Sequence, residues 1–192
     1  SKDLFFYNLR VTIKSYTTNF ACSVSLHMKF RGDTFLSKRL NIIKKIDKYM
    51  LETDRLILKP LTYSQLLKYV ACDNSLEVEL KLNENPRNIS PELKEALEQT
   101  ILPNVSDTSK NYLYSTLWTG ISKEHKQMIG DICLLGEPNE AGEIEIGYGT
   151  YPAFQGRGFM TEMVSGIISW ARTQPHVSGI LASTDKMNIA SM

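Results

Sequence analysis

The chain has 192 residues, of which 42% are hydrophobic and 22% charged, which are the proportions of an ordinary globular protein. The net charge is only +1, so bulk charge gives no sign of a nucleic-acid-binding or membrane-binding protein. No run of about 18 apolar residues occurs, so no transmembrane helix is expected. The cysteines Cys22, Cys72 and Cys133 are far apart and odd in number, which favours a reducing cytoplasm over a disulfide framework or a metal site.

The first 49 residues differ in charge from the rest of the chain. Residues 1–49 carry ten Lys or Arg against three Asp, whereas residues 50–192 carry an acidic excess. Two stretches, 4–13 and 19–30, have strand-like composition, and 37–50 has helical spacing. We interpret 1–49 as a basic N-terminal extension, poorly ordered or loosely docked. Two alternatives stay open: an arm that binds RNA or the ribosome, and non-native sequence with Met50 as the natural start.

From residue 51 the pattern becomes regular. Residues 55–61 read as a strand that ends at Pro60. Thr62 is a suitable N-cap for a helix over 63–73. Ser90 followed by Pro91 predicts a second helix, which we expect Pro103 to end.

Three alternating segments follow in succession, at 111–121, 128–136 and 143–151, and predict an antiparallel meander. An amphipathic segment over 156–173 predicts a long helix, and 177–184 a last strand, reached by a crossover and therefore parallel to its neighbour. The fold class is α+β, with an α/β-like three-layer arrangement: a mixed, mostly antiparallel sheet with helices on both faces.

The turn before the long helix has the features of an anion site. Gly156 and Gly158 bracket Arg157 where a helix begins, and the first N–H groups of a helix lack intrahelical partners. A dinucleotide-binding loop is excluded because Thr161 stands where its third glycine should be, and no Walker lysine follows. A glycine-rich turn without a ligand is the alternative.

Five segments in order across 51–192 resemble the GNAT superfamily of N-acetyltransferases, and within it the RimJ/RimL kind that acetylates ribosomal proteins. They are "LETDRLIL" at 51–58, Ile129-Gly130, "EIGY" at 145–148, "PAFQGRGFMTE" at 152–162 and "NIAS" at 188–191. The resemblance implies a GNAT fold over 50–192 that is truncated at its C-terminus, because family members continue beyond "N-x-A-S". The continuation commonly carries a tyrosine that protonates the leaving thiolate.

The resemblance also implies a site. Acetyl-CoA would be the co-substrate, with its pyrophosphate on the turn and its pantetheine arm along the third meander strand; no metal is expected. Glu145 resembles the family's general base, with a solvated sheet-face glutamate as the alternative. The cofactor-binding residues would be Tyr148, Gly149, Thr150, Gln155, Gly156, Arg157, Gly158, Phe159, Met160, Asn188 and Ser191. Met160 departs from the small residue that the family has there.

The function implied is transfer of an acetyl group from acetyl-CoA to a primary amine by direct attack on the thioester. The acceptor would be a protein N-terminal α-amine or a small-molecule amine. Alternatives are a non-catalytic module that binds or senses acyl-CoA and, from residues 1–49 alone, an RNA-associated adaptor. No membrane partner is expected, nucleic acid is disfavoured, a homodimer is left open, and weak or absent turnover is expected of this fragment.

Overall fold

The computed structural model describes residues 10–13, 23–29, 49–87 and 89–185. Within these ranges, eight strands form one sheet in the order β1-β2-β8-β7-β6-β5-β4-β3. The strands are β1 Arg10–Ile13, β2 Ser23–Lys29, β3 Leu51–Glu52, β4 Leu56–Pro60, β5 Leu117–Ser122, β6 Gln127–Leu134, β7 Glu143–Thr150 and β8 Gly179–Asp185. The helices are α1 Tyr63–Ala71, α2 Ser75–Leu80, α3 Pro91–Ala96, α4 Leu102–Ser106 and α5 Phe159–Ala171.

The sheet is mixed and mostly antiparallel, as the sequence predicts. Strands β4 to β7 form the antiparallel meander, and β7 pairs with β8 in parallel after the α5 crossover. Strand β2 then pairs antiparallel with β8, and β1 with β2, so two stretches of strand-like composition in 1–49 do contain strands. The predicted helix over 37–50 lies almost wholly outside the described residues.

Two hydrophobic clusters occupy opposite faces of the sheet and make it the middle layer. On one face, Met163 and Ile167 of α5 pack against Ile144 and Ile146 of β7. On the other face, Leu66 of α1 packs in a cluster with side chains of α2, β5 and β6. The predicted α+β class, with helices on both faces, is confirmed.

Two helix starts were predicted correctly from local capping residues. Thr62 closes a capping box with Gln65, in which each side chain bonds the other residue's backbone. The Ser90 hydroxyl accepts from the Leu93 N–H, 3.2 Å away, and Pro91 occupies the first turn. A capping bond joins the N-cap to the residue three positions later, so the sequence alone can predict it.

The prediction that Pro103 ends the second helix is wrong. A π-helical turn over Leu97–Ile101 separates α3 from α4, and the helical path continues to Ser106. The Leu102 N–H donates to Leu97 O, five residues back. Pro103 has no N–H and would crowd the carbonyl four residues before it, and a widened turn there relieves both conflicts.

Other boundaries shifted by a few residues. Helix α5 begins at Phe159, not at residue 156, and β5 begins at Leu117 after a short 3₁₀ turn over Tyr112–Tyr114. Helix α2 was not predicted, because its six residues are too few to show a helical period. In the described part of the chain, no helix combines the length and the apolar character that crossing a membrane requires.

Candidate active site

The pairing of β7 with β8 stops halfway along both strands. Its last pair is Ile146↔Ala182, although β7 continues to Thr150 and β8 to Asp185. On their outer sides both strands stay paired, β7 with β6 up to Thr150 and β8 with β2 up to Asp185. The two strands therefore separate within the sheet and leave a slit between residues 147–150 and 183–185.

The register of β7 on β6 shows which peptide groups border this slit. Glu145 O accepts from Leu135 N, and Tyr151 N donates to Ile129 O. Because hydrogen-bonded positions alternate in an antiparallel pair, the odd residues of β7 turn their peptide groups towards β6. The peptide groups of Tyr148 and Thr150 consequently point to the β8 side. There the Gln155 side-chain amide reaches Thr150 O at 3.3 Å.

The predicted anion turn lies directly beyond this strand. After a 3₁₀ turn at Pro152–Phe154, Gly156 and Gly158 both have φ of +72°, and Gly158 is the N-cap of α5. Among the described residues, no side chain caps this helix start with a hydrogen bond. Its first N–H groups are thus left for another acceptor, at the positive end of a 13-residue helix.

The side chains of the turn face away from one another. Phe159 is buried in the core beneath α5, and Met160 is half-buried against the same cluster, so it packs inward. Arg157 is exposed, with its guanidinium carbon 5.7 Å from the centre of the Phe154 ring. The turn therefore offers mainly backbone N–H groups to a ligand.

A polar clamp ties the turn to the start of β4. Glu162 accepts from Thr53 Oγ1 at 2.6 Å, from Arg55 N at 2.8 Å and from Arg55 Nε at 2.6 Å. The Arg55 Nη1 donates in addition to Arg157 O in the turn, at 3.1 Å. Partial burial alone would raise the pKa of Glu162, but the hydrogen bonds from Thr53 and Arg55 outweigh it and lower that pKa. Glu162 is thus a structural carboxylate.

One face of β7 is open where it borders the slit. Ile144 and Ile146 are buried against α5, so Glu145, Gly147 and Gly149 lie on the opposite face. A Cβ at either glycine would meet nothing within 4 Å. Glu145 is exposed and accepts a hydrogen bond of 3.2 Å from Ser183 of β8. The glycines leave a strip without side chains next to the predicted base.

A buried acidic cluster that the sequence reasoning missed flanks this strip. Asp131 of β6 pairs with Gly149 in the sheet and is only 7% exposed. Its Oδ2 accepts from the hydroxyls of Tyr69 at 2.7 Å and Tyr151 at 2.8 Å. Asp131 Oδ1 and Thr119 Oγ1, on the cross-strand partner of Asp131, are buried, and neither forms a hydrogen bond of ordinary geometry with a described residue. A charged residue inside the apolar strand "MIGDICLL" was the available signal.

Burial dominates the protonation of the cluster. It raises the pKa of Asp131, with the hydroxyls of Tyr69, Tyr151 and Thr119 and the charge of Arg87 acting in the opposite direction. Burial and the nearby Asp131 charge also raise the pKa of both tyrosines well above the ordinary value. Both phenols therefore stay protonated near neutral pH and remain hydrogen-bond donors to Asp131.

A buried ion pair between Arg87 and Glu77 packs against the Tyr69 side of the cluster. Arg87 lies over the Tyr69 ring, 4.8 Å from its centre, and its Nη1 lies 2.9 Å from Glu77 Oε1. Both side chains of this pair are almost fully buried, at 3% and 1% exposure. Cys133, next on the same face of β6, has its pKa raised to about 12 by burial and by Asp131, so it is an unreactive thiol.

The structure brings most of the predicted site residues into one region. Residues 145–150 border the slit and 155–160 form the turn beyond it. Asn188 and Ser191 lie outside the described residues. Within the described ranges, no group of three His, Cys, Asp or Glu side chains could hold a metal ion.

Comparison with known proteins identifies the family. The model of the acetyltransferase (GNAT) domain matches residues 55–192. The chain belongs to the GNAT acetyltransferase family, and the predicted GNAT fold is thereby confirmed. The uncharacterized N-acetyltransferase YjdG of Bacillus subtilis (strain 168) is 32% identical over 74 residues, which are 38% of this chain. The match spans 44% of that relative's length.

Solved structures resemble the chain more distantly. The ribosomal-protein-S5-alanine acetyltransferase of Vibrio fischeri is 18% identical and matches with a TM-score of 0.49, over 74% of this chain and 78% of that one. An acetyl transferase of Salmonella typhimurium that modifies the N-terminal serine of ribosomal protein L7/L12 is 14% identical, with a TM-score of 0.47, over 72% and 77%.

Proposed function

We propose that the protein transfers an acetyl group from acetyl-CoA to a primary amine. The observation that carries this proposal is the slit between β7 and β8, which continues into the uncapped helix start at Gly158. An extended arm with a diphosphate at its end has complementary chemistry. The arm's amides can pair with the peptide groups of Tyr148 and Thr150, and the diphosphate can accept from the N–H groups of the turn.

Acetyl-CoA, when bound, supplies an acetyl group that is activated as a thioester. The acceptor nitrogen forms the new C–N bond as the C–S bond breaks, and the sulfur leaves as a thiolate that takes up a proton. The acceptor arrives as an ammonium, with a pKa near 8 for an α-amine and about 10.4 for a lysine, so a base is useful. Glu145, exposed beside the strip of glycines, is our proposed base, directly or through a water molecule.

The acceptor that we propose is a primary amine on a slender chain, either a protein N-terminus or a small molecule, met in the cytoplasm. Gly147 and Gly149 leave room for such a chain on the open face of β7. An α-amine asks less of the base than a lysine does, and this favours a protein N-terminus. The oligomeric state is left open, with a homodimer as one option.

The test is turnover by the purified protein on a fixed panel: peptides that begin with serine or alanine, a peptide with an internal lysine, and spermidine. We expect slow release of free CoA and a gain of one acetyl group by at least one amine. Glu145→Gln should lower kcat by about 10²-fold or more, the usual range for loss of a general base, while acetyl-CoA still binds. Glu140→Gln, an exposed change elsewhere, is the matched control.

A module that binds acyl-CoA without turnover is the rival function. It gains support if the protein binds acetyl-CoA tightly and no amine of the panel is acetylated. If Glu145→Gln transfers as fast as the unchanged protein, the assignment of the base is wrong, although the proposed activity stands.

A further inference from the structure

Asp131 presents an incompletely bonded carboxyl beside the region where the amine must lie. It is buried, its Oδ2 binds two tyrosine hydroxyls, and its Oδ1 has only the hydroxyl of its cross-strand partner Thr119 near it among the described residues, without a hydrogen bond of ordinary geometry. A buried acceptor whose hydrogen bonds are incomplete destabilises the folded state, and more so when it is charged. A ligand that donates a hydrogen bond to this oxygen would remove that destabilisation.

The position of Asp131 connects it with the proposed acceptor strip. It pairs with Gly149 in hydrogen-bonded register, so their Cα atoms are about 5.5 Å apart and both residues face the same side of the sheet. Gly149 is exposed and offers no side chain to separate the carboxyl from the groove. A slender group that lies over Gly149 therefore reaches the edge of Asp131.

Among the described residues, no cation forms an ion pair with Asp131. Arg87, whose charge acts on Asp131, is already paired with Glu77 through Nη1 at 2.9 Å and Nη2 at 3.3 Å. Tyr69 and Tyr151 supply neutral hydroxyls and hold the carboxylate in one orientation. A ligand with a positive charge and at least one N–H donor would complete the site, and a primary ammonium has both.

We propose that Asp131, oriented by Tyr69 and Tyr151, is the residue that recognises the ammonium group of the acceptor. This inference rests on the proposed function, because the amine is the acceptor of that reaction. Asp131 binds the incoming ammonium, and Glu145 removes its proton in a later step. The two carboxylates stand about four residues apart along β7, roughly 13 Å at 3.3 Å per residue, so the nitrogen leaves Asp131 and moves along the strip of glycines before it reaches Glu145.

The test compares Asp131→Asn, which keeps the shape and removes the charge, with Glu140→Gln as control. For the best amine of the panel, we expect KM to rise about 10-fold or more, with KM for acetyl-CoA unchanged. Tyr151→Phe, which removes one hydroxyl and retains the acid, should raise the amine KM by a smaller factor. An unchanged amine KM in Asp131→Asn would overturn the proposal.

A binding measurement separates this inference from the proposed function. The same amine is titrated into CoA-saturated protein by calorimetry, where no transfer occurs. We expect binding by the unchanged protein and about 10-fold weaker binding by Asp131→Asn, whether or not the protein turns over. If the variant binds the amine normally but loses kcat and the acidic limb of its pH–rate profile, Asp131 is the base and the recognition role is wrong. If Asp131→Asn unfolds, Tyr151→Phe with normal amine binding contradicts the orienting role.

Discussion

At the scale of single residues, the anion turn depends on backbone conformations that few residues adopt. Gly158 has φ of +72°, and a Cβ there would find its nearest neighbour, Arg55 Nη2, at 3.8 Å. Space is therefore sufficient, and the cost of a side chain comes from the left-handed backbone alone. That cost is about 1–2 kcal/mol for an ordinary residue.

We expect Gly158→Ala to lose about 1–2 kcal/mol of unfolding free energy, because alanine is strained at this positive φ. We also expect weaker CoA binding, because the backbone shifts to relieve that strain and moves the first N–H groups of α5 away from the ligand. Urea denaturation and CoA titration measure the two effects. Gly147→Ala is the stability control, because Gly147 has no positive φ and open space around its Cβ position. Equal losses of stability in the two variants would contradict the argument.

The candidate site shows which residues sequence reasoning could reach. The glycines of the turn and Glu145 lie within one continuous stretch, so their roles could be proposed from local pattern and family resemblance. The cluster around Asp131 could not, because Tyr69 is 62 residues away from it and Tyr151 is 20 away. The packing of α1 over β6 brings the Tyr69 hydroxyl to Asp131, and the pairing of β7 with β6 brings that of Tyr151.

At the scale of elements, Glu162 joins α5 to the segment before β4. Its carboxylate has three hydrogen bonds from that segment and is 17% exposed, whereas Arg55 is 48% exposed. Solvent screens the Arg55 charge, so most of the stabilisation comes from the part-buried donor, Thr53 Oγ1.

We expect Glu162→Gln to destabilise the fold by roughly 1–2 kcal/mol, because an amide keeps the shape but loses the charge and offers one acceptor oxygen. Guanidinium denaturation at pH 7 measures the loss. Repeated at lower pH, the difference between the variant and the unchanged protein should shrink, since the lowered pKa of Glu162 gives stability above its unfolded value, near 4.5, that is lost as pH falls through the folded pKa. A constant difference from pH 7 to pH 3 would refute the role of the charge.

Helix positions were predictable where a cap marks them and less so where packing decides. Thr62 and Ser90 are correct because each cap is made by the next few residues. The helix continues past Pro103 because a π-helical turn precedes that proline. The residues of the turn, Leu97–Ile101, carry no sequence pattern that predicts a π-helix. Strand β5 starts later than its alternation suggested because Tyr112–Tyr114 coil into a 3₁₀ turn.

At the scale of the whole molecule, Asp131 gives stability a dependence on pH of the opposite sign to that of Glu162. Its raised pKa means that the folded protein holds this proton to a higher pH than the unfolded chain, whose aspartate titrates near 3.8. The contribution is therefore complete below that value and is lost as pH rises through the folded pKa. Tyr69, Tyr151, Thr119 and Arg87 face the carboxyl, and none of them changes in an Asp131→Asn variant.

We expect the stability of Asp131→Asn, relative to the unchanged protein, to improve as pH rises from 4 towards neutrality. The variant's neutral amide resembles the protonated acid at low pH and avoids a buried charge at higher pH. Thermal unfolding at several pH values, each measured as a difference between the two proteins, tests this. A difference that does not vary with pH, or that moves the other way, would contradict the raised pKa.

The clamp between Glu162 and Arg55 also has a consequence for the order of folding. The two residues are 107 positions apart, so their contact closes the described meander, from β4 to β7, and the first turn of α5 into one loop. Such long-range contacts form late, because the chain must lose the entropy of closing the loop before it gains the favourable energy of the contact. The turn that we propose for the diphosphate is thus completed only after the first meander strand has met the last helix. A partly folded chain would lack it, and CoA would bind the finished fold in preference to its precursors.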